Sequence, residues 1–340
     1  MASAPLTDSF GRVHRDLRIS VTDRCNFRCS YCMPAEGMEW LPRSELLTFE
    51  EIQRVARVCV ERLGVDSIRL TGGEPTVRAH LPVLVGKLAG LRTPDGPGGE
   101  PGRPVDLALT TNAATFRSLA GELAAAGLRR VNISLDTLRR DRFVELTRRD
   151  ELPRVLDGID AALEAGLDPV KVNVVVMRGV NDDEIVDLAT FGRDRGVTVR
   201  FIEWMPLDAD QQWRADAVVS QDEILAAIAA VFPVEPIVRG SEPAERFAYV
   251  DGRGEVGVIP SVTRPFCASC DRVRLTAEGQ LRSCLFAVDE VDLRALLRGG
   301  ASDAELDDAV RRCVAAKWAG HMIGQVTFVR PRRSMSQIGG

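Results

Sequence analysis

Residues 22–34 read TDRCNFRCSYCMP, with three cysteines spaced C-x3-C-x2-C directly after the short apolar run LRISV. Three thiolates offset by four and three residues can converge on a metal from one compact loop, and three soft ligands suit an iron–sulfur cluster or zinc. Zinc calls for a fourth ligand. A four-iron cluster held by three cysteines instead keeps one iron open to a small molecule. Arg24, Asn26 and Arg28 make this loop too polar for a core in which cysteines act as small hydrophobes. Farther along, PFCASCDRVRLTAEGQLRSCLF carries Cys267, Cys270 and Cys284, spaced C-x2-C-x13-C. RVRLT and QLRSC can pair as antiparallel strands about AEG, which returns Cys284 toward the other two. A second cluster satisfies that spacing, and so does a zinc with His321 as fourth ligand. Cys59 and Cys313 fall inside helical patterns and read as core residues.

These motifs need a scaffold, and the apolar pattern supplies one. Six runs rich in Val, Ile and Leu, at 17–21, 67–70, 106–109, 130–135, 170–176 and 199–204, alternate with helical segments. That alternation is the mark of repeated βα units and a parallel sheet. Thr48 followed by Glu51 forms a capping box at the head of the first helical segment, which ends at Gly64. TGGEP, TTN and LDT follow the second, third and fourth strands, so the polar motifs collect at the carboxyl end of the sheet, where barrels of this kind build their sites. The expected fold is α/β, a partial (βα)6 TIM-type barrel over 1–235 with a smaller C-terminal α+β extension over 236–340. The Gly/Pro-rich stretch 93–104 reads as a surface insertion.

Bulk properties narrow the function classes. A net charge of -5 argues against a general nucleic-acid binder. No apolar stretch approaches the ~20 residues of a membrane helix, and MASAPLTDSFGR lacks an apolar signal core. A cytoplasmic protein that contacts neither nucleic acid nor membrane is the expectation, and clustered cysteines there serve as ligands or catalysts rather than disulfides. On charge alone the basic end VRPRRSMSQIGG is a solvated tail.

The first cysteine motif, with Tyr31 just before its third cysteine, resembles the signature of radical S-adenosylmethionine (SAM) enzymes, and TGGEP at 71–75 matches that superfamily's second motif. The two cysteine triads, with R-V-R directly after the second, narrow the resemblance to the GTP 3′,8-cyclase family. The likeness runs from about Gly11 to Gly340 through RDLRISV, IRLTGGEPTVR, LTTN, RVNISLDT, VKVNVVV, RFIEWMP and the terminal IGG. It implies two 4Fe-4S clusters, one on Cys25, Cys29 and Cys32 and one on Cys267, Cys270 and Cys284. SAM would chelate the open iron of the first, near Tyr31, Gly73, Ser134 and Met205. GTP would meet Arg18, Arg69, Thr110, Lys171 and the segment Arg272, Val273 and Arg274, with Arg200 a further phosphate candidate, and Gly339 and Gly340 would act at the substrate.

The implied reaction is that of a radical SAM lyase, converting GTP to (8S)-3′,8-cyclo-7,8-dihydroguanosine 5′-triphosphate early in molybdenum cofactor biosynthesis. Cyclic pyranopterin monophosphate synthase would take the product, an unidentified reductant would supply electrons, and a homodimer is the expected assembly. Charge agrees with such a substrate. A nucleoside triphosphate carries about four negative charges, guanidinium groups bind phosphate oxygens in bidentate fashion, and Arg69 and Arg200 interrupt otherwise apolar strands. One departure is Ala113, where the family usually has glycine after TTN, a position whose backbone freedom it removes. Two other readings remain at this stage. A peptide-modifying radical enzyme would carry more cysteines in its extension, and a non-enzymatic iron–sulfur or zinc module would leave TGGEP and the barrel unexplained.

Overall fold

The computed structural model describes residues 5–95, 100–238, 240 and 242–339. Gly340 and positions 96–99 of the Gly/Pro-rich loop lie outside the described residues. Strands β1 (Asp16–Ser20), β2 (Ser67–Thr71), β3 (Asp106–Thr111), β4 (Arg130–Ser134), β5 (Val170–Val176) and β6 (Thr198–Glu203) follow one another in parallel. They build the partial-barrel wall that the sequence pattern called for, with helices packed outside it.

The C-terminal extension joins the same sheet. After β7 (Val234–Ile237) and β8 (Glu245–Tyr249), β9 (Glu255–Ile259) pairs parallel with β6; β10 (Arg272–Leu275) pairs parallel with β1 and is followed by β11 (Gln280–Arg282) and β12 (Val291–Asp292). The result is one twelve-stranded sheet in the order β12-β11-β10-β1-β2-β3-β4-β5-β6-β9-β8-β7. Both hairpins expected in the extension are present, β8–β9 and β10–β11. Among the described residues no helix is long and apolar enough to cross a membrane.

Side-chain alternation along each strand, with its period of two, decides what faces the lumen. Leu17, Ile19, Ile68, Leu70, Val131, Ile133, Val172, Val174, Val199 and Phe201 join the hydrophobic core. Their neighbours Arg18, Arg69, Asn132, Lys171 and Arg200 line the central cavity instead. The arginines that interrupt apolar strands are therefore the lumen face of an otherwise dry wall. Helix Phe49–Arg57 starts at the expected capping box: Glu51 N donates to Thr48 Oγ1 and Thr48 N donates to the Glu51 carboxylate at 2.8 Å. Cys59 and Cys313 are buried in the core.

Ala113 adopts the left-handed backbone (φ 61°) that a glycine takes without strain. The loop after TTN thus keeps that geometry despite its methyl group, which sits against Gly158 of helix Leu152–Glu164. A methyl at Gly158 would lie 2.5 Å from the Ala113 carbonyl. Gly158→Ala is therefore expected to cost about 1–3 kcal/mol through overpacking, read as a lowered midpoint in chemical denaturation.

Candidate active site

The two cysteine triads lie at opposite ends of one lumen. Cys25, Cys29 and Cys32 follow the carboxyl end of β1. β10 runs parallel to β1 with Arg272 opposite Asp16, so Cys267 and Cys270, which precede β10, lie at the amino end. β11 runs back antiparallel, with Arg282 opposite Arg274, and carries Cys284 down to the same end. Between the triads lies a cavity of about 570 Å³ lined by all six cysteines. Tyr31, Gly73, Ser134, Met205, Arg18, Arg69, Thr110, Lys171, Arg200, Arg272 and Arg274 also line it. Val273 does not: it falls on the core face of β10 between the two lumen arginines, so only its backbone is near the site.

Arg274, Arg18 and Arg69 are direct register partners across β10, β1 and β2. Like charges placed opposite each other destabilise a sheet, and these are buried as well. Burial, and next the charge of Arg272, push Arg18 down to about 9. Burial likewise takes Arg69 to about 10, and burial with Arg18 and Arg272 holds Arg274 well below the usual arginine range. Nε of both Arg18 and Arg69 is buried without a hydrogen-bond partner. Asp16 offers Arg18 a contact at 3.7 Å. Arg200, by contrast, is held through Nε and Nη2 by amide oxygens, bonding Asn132 Oδ1 at 2.6 Å and Asn173 Oδ1 at 2.7 Å. Lys171 Nζ meets the Glu242 carboxylate at 3.1 Å. Asn132 and Asn173 escaped the reading of the sequence although they carry the same signal as Arg200, a polar side chain inside an apolar strand.

At the carboxyl end, TGGEP crosses the cysteine loop by backbone contact. Gly73 N donates to Thr22 O and Glu74 N to Arg24 O, both at 2.8 Å. A Cβ at Gly73 would stand 2.4 Å from Arg24 O and 2.5 Å from Asp23 O. The buried Glu74 carboxylate accepts from Thr76, Thr111 and Asn112, tying this loop to the end of β3. Tyr31 Oη donates to Asp136 Oδ2 at 2.6 Å. Burial pushes the Cys25 thiol up to about 12 and Cys32 to about 11. At the other end, burial opposes ionisation of Cys270, but Arg272 and Lys317 prevail and lower its pKa.

The donor sets suit cubane clusters, with three soft thiols at each end of the cavity. His321 does not complete a zinc site. Its Nδ1 accepts from Ile323 N at 3.1 Å, and burial lowers its pKa. A neutral ring accepting at Nδ1 carries its proton on Nε2, so neither nitrogen offers a lone pair to a metal. Gly339 lies outside the cavity lining but at its rim. Its carbonyl accepts from Arg274 Nη1 at 2.9 Å, and a Cβ there would stand 2.8 Å from Ser20 Cβ and Thr71 Oγ1.

Residues 19–192 match the Radical SAM superfamily, and 197–323 match Molybdenum Cofactor Synthesis C. The chain is 49% identical to GTP 3′,8-cyclase 2 of Mycobacterium tuberculosis, over 99% of this chain and 93% of that protein. It is 50% identical to the GTP 3′,8-cyclase of Streptomyces coelicolor, over 98% of this chain and 96% of that protein. The chain belongs to the GTP 3′,8-cyclase family of radical SAM enzymes. Solved structures with a similar fold include Streptococcus suis SuiB bound to S-adenosylmethionine (TM-score 0.60, 15% identity, 97% of this chain and 77% of that one) and native anSMEcpe with bound AdoMet (TM-score 0.56, 14% identity, 94% and 93%). Membership brings the family's cofactors, SAM and 4Fe-4S clusters, and its early place in molybdenum cofactor biosynthesis.

The contact between Gly73 and the cysteine loop leaves no room for a side chain. Gly73→Ala is expected to displace the first triad and lower iron content by about half after anaerobic reconstitution, since one of two four-iron sites is lost. Undiminished iron in a folded Gly73→Ala protein would contradict the role of that crossing.

Proposed function

We propose that GTP lies along the lumen with its triphosphate on the arginine row and its base toward the second triad, while SAM occupies the first. The observation that carries this reading is the row itself: Arg274, Arg18 and Arg69 in register, buried, with two Nε atoms that lack a hydrogen bond. With clusters and SAM bound, the first site supplies one-electron cleavage of the cofactor and a carbon-centred radical able to take the hydrogen from C3′ of the ribose. Cys25, Cys29 and Cys32 would hold the first cluster, and Cys267, Cys270 and Cys284 the second. Tyr31, Gly73, Ser134 and Met205 line the same cavity near the first triad and would orient SAM.

The chain's own work is then positioning. Ring closure joins C3′ to C8 within one nucleotide, so the walls must hold ribose and base in a near-attack pose and exclude water. Arg18, Arg69, Arg272 and Arg274 fix the phosphates. Lys171 on β5 and Thr110 on β3 face the lumen and complete its polar wall, and Arg200, held through Nε and Nη2 by two asparagines, adds positive charge to it. Gly339, whose carbonyl accepts from Arg274, would lie beside the phosphates; Gly340, proposed to act at the substrate as well, lies outside the described residues. The reaction belongs in the cytoplasm, where thiols stay reduced. The product passes to cyclic pyranopterin monophosphate synthase, and a homodimer is the proposed assembly.

Arg69→Ala and Arg274→Ala should each weaken GTP binding by about 1.5–3 kcal/mol, the worth of a hydrogen bond to a charged group, measured by anaerobic titration calorimetry. Unchanged affinity in both variants would contradict the phosphate role of the row.

A further inference from the structure

Behind the second triad lies a group of buried ionic side chains that do not line the cavity. Lys317, two residues beyond helix Asp303–Ala315, is 3% exposed. Its Nζ lies 2.9 Å from His14 Nε2, 2.9 Å from Arg272 O, 3.3 Å from Cys270 O and 3.4 Å from Cys270 Sγ. His14 Nδ1 is 3.0 Å from the Arg12 carbonyl, which can only accept, so the ring proton sits on Nδ1 and Nε2 turns a lone pair to Lys317. Burial, and next the charge of Lys317, push His14 down to about 4, which keeps the ring neutral. Each of these neighbours can accept a hydrogen bond from Nζ.

The carboxylate beside this ring is already matched. Asp8 stands 3.7 Å from His14 Nε2 but pairs with Arg12 at 2.5 Å, and Arg12 in turn donates to Cys267 O at 2.7 Å. Among the groups within hydrogen-bond distance of Lys317 Nζ, the one that can carry negative charge is the sulfur of Cys270, while Asp271 acts on it through charge. The choice of residue is informative too. The chain has three lysines among 44 Lys and Arg residues. A lysine buried in so arginine-rich a chain marks a place for a positive charge whose compact head reaches several acceptors at once.

We infer that Lys317 is a positioning residue for the second cluster: its ammonium pins the Cys270 loop and stabilises the negative charge that this cluster gains on reduction. Hydrogen bonds and charge near ligand sulfurs raise a cluster's reduction potential. The first triad, at the other end of the lumen, has no such partner in Lys317, so the effect is confined to one cluster. The inference rests on the reading that the second triad holds a 4Fe-4S cluster. Iron content of the unaltered protein tests that reading separately.

The test is an EPR-monitored redox titration of the anaerobically reconstituted full chain, with and without SAM to assign the first cluster. About eight irons are expected in the unaltered protein. Lys317→Gln, which keeps donors but loses the charge, should disfavour reduction of the second cluster about tenfold, a shift of about 59 mV for one electron, and leave the first unchanged. Lys317→Arg should stay near the unaltered potential. Eight irons in Lys317→Gln with an unmoved second potential, or equal shifts in both clusters, would overturn the inference alone; about four irons in the unaltered protein would overturn the reading beneath it. Should Lys317→Gln lose the second cluster, Lys317→Arg decides: retention of eight irons supports the role of the charge, and loss in both variants overturns it.

Discussion

Three buried arginines in register on the lumen face of one sheet form an arrangement that a protein alone does not favour. Neighbouring strands lie about 5 Å apart, and two like charges at that spacing repel by about 3 kcal/mol at an effective dielectric of about 20. Arg18 lies between two such neighbours, Arg274 and Arg69. Asp16 relieves part of the strain, and the remainder is a standing demand for a polyanion. A triphosphate answers it with about four charges and oxygen atoms arranged for bidentate contact. Substrate binding on this account relieves an electrostatic cost built into the fold.

The rest of the architecture serves that row. β1 and β2 contribute one arginine each, but the third comes from β10, a strand of the C-terminal extension that pairs parallel with β1. The same strand fixes Cys267 and Cys270 at the amino end of the lumen, and its Arg274 reaches the Gly339 carbonyl at the rim. One short strand thus links the arginine row, the second triad and Gly339. The two triads face each other along the lumen only because β10 and β1 run the same way.

Much of this was legible in the sequence, for identifiable reasons. The six strands showed as apolar runs, and the cysteine spacings and TGGEP marked the residues that gather at the two ends of the lumen. Arg69 and Arg200 betrayed themselves by interrupting apolar segments, whereas Arg18, Arg272 and Arg274 were marked only by the family resemblance. What the sequence concealed was pairing at long range: nothing in RVRL says that it lies beside β1 rather than in a sheet of its own. Val273 shares a motif with two lumen arginines, yet strand alternation turns it to the core. Helix Gln221–Ala229 went unread although Ser220 and Glu223 form a capping box, because its apolar positions are short and alanine-rich. His321 has the right chemistry for zinc, and only the hydrogen bond at Nδ1 removes it from consideration.

The central claim is that this lumen holds GTP so that hydrogen leaves C3′ of the ribose toward the first site. The most direct measurement supplies GTP deuterated at C3′, with SAM and a reductant, under anaerobic conditions, and follows the label by mass spectrometry. The account predicts one deuterium in the 5′-deoxyadenosine formed and its loss from the cyclised nucleotide. Unlabelled 5′-deoxyadenosine formed alongside a cyclised product that retains the deuterium would contradict it.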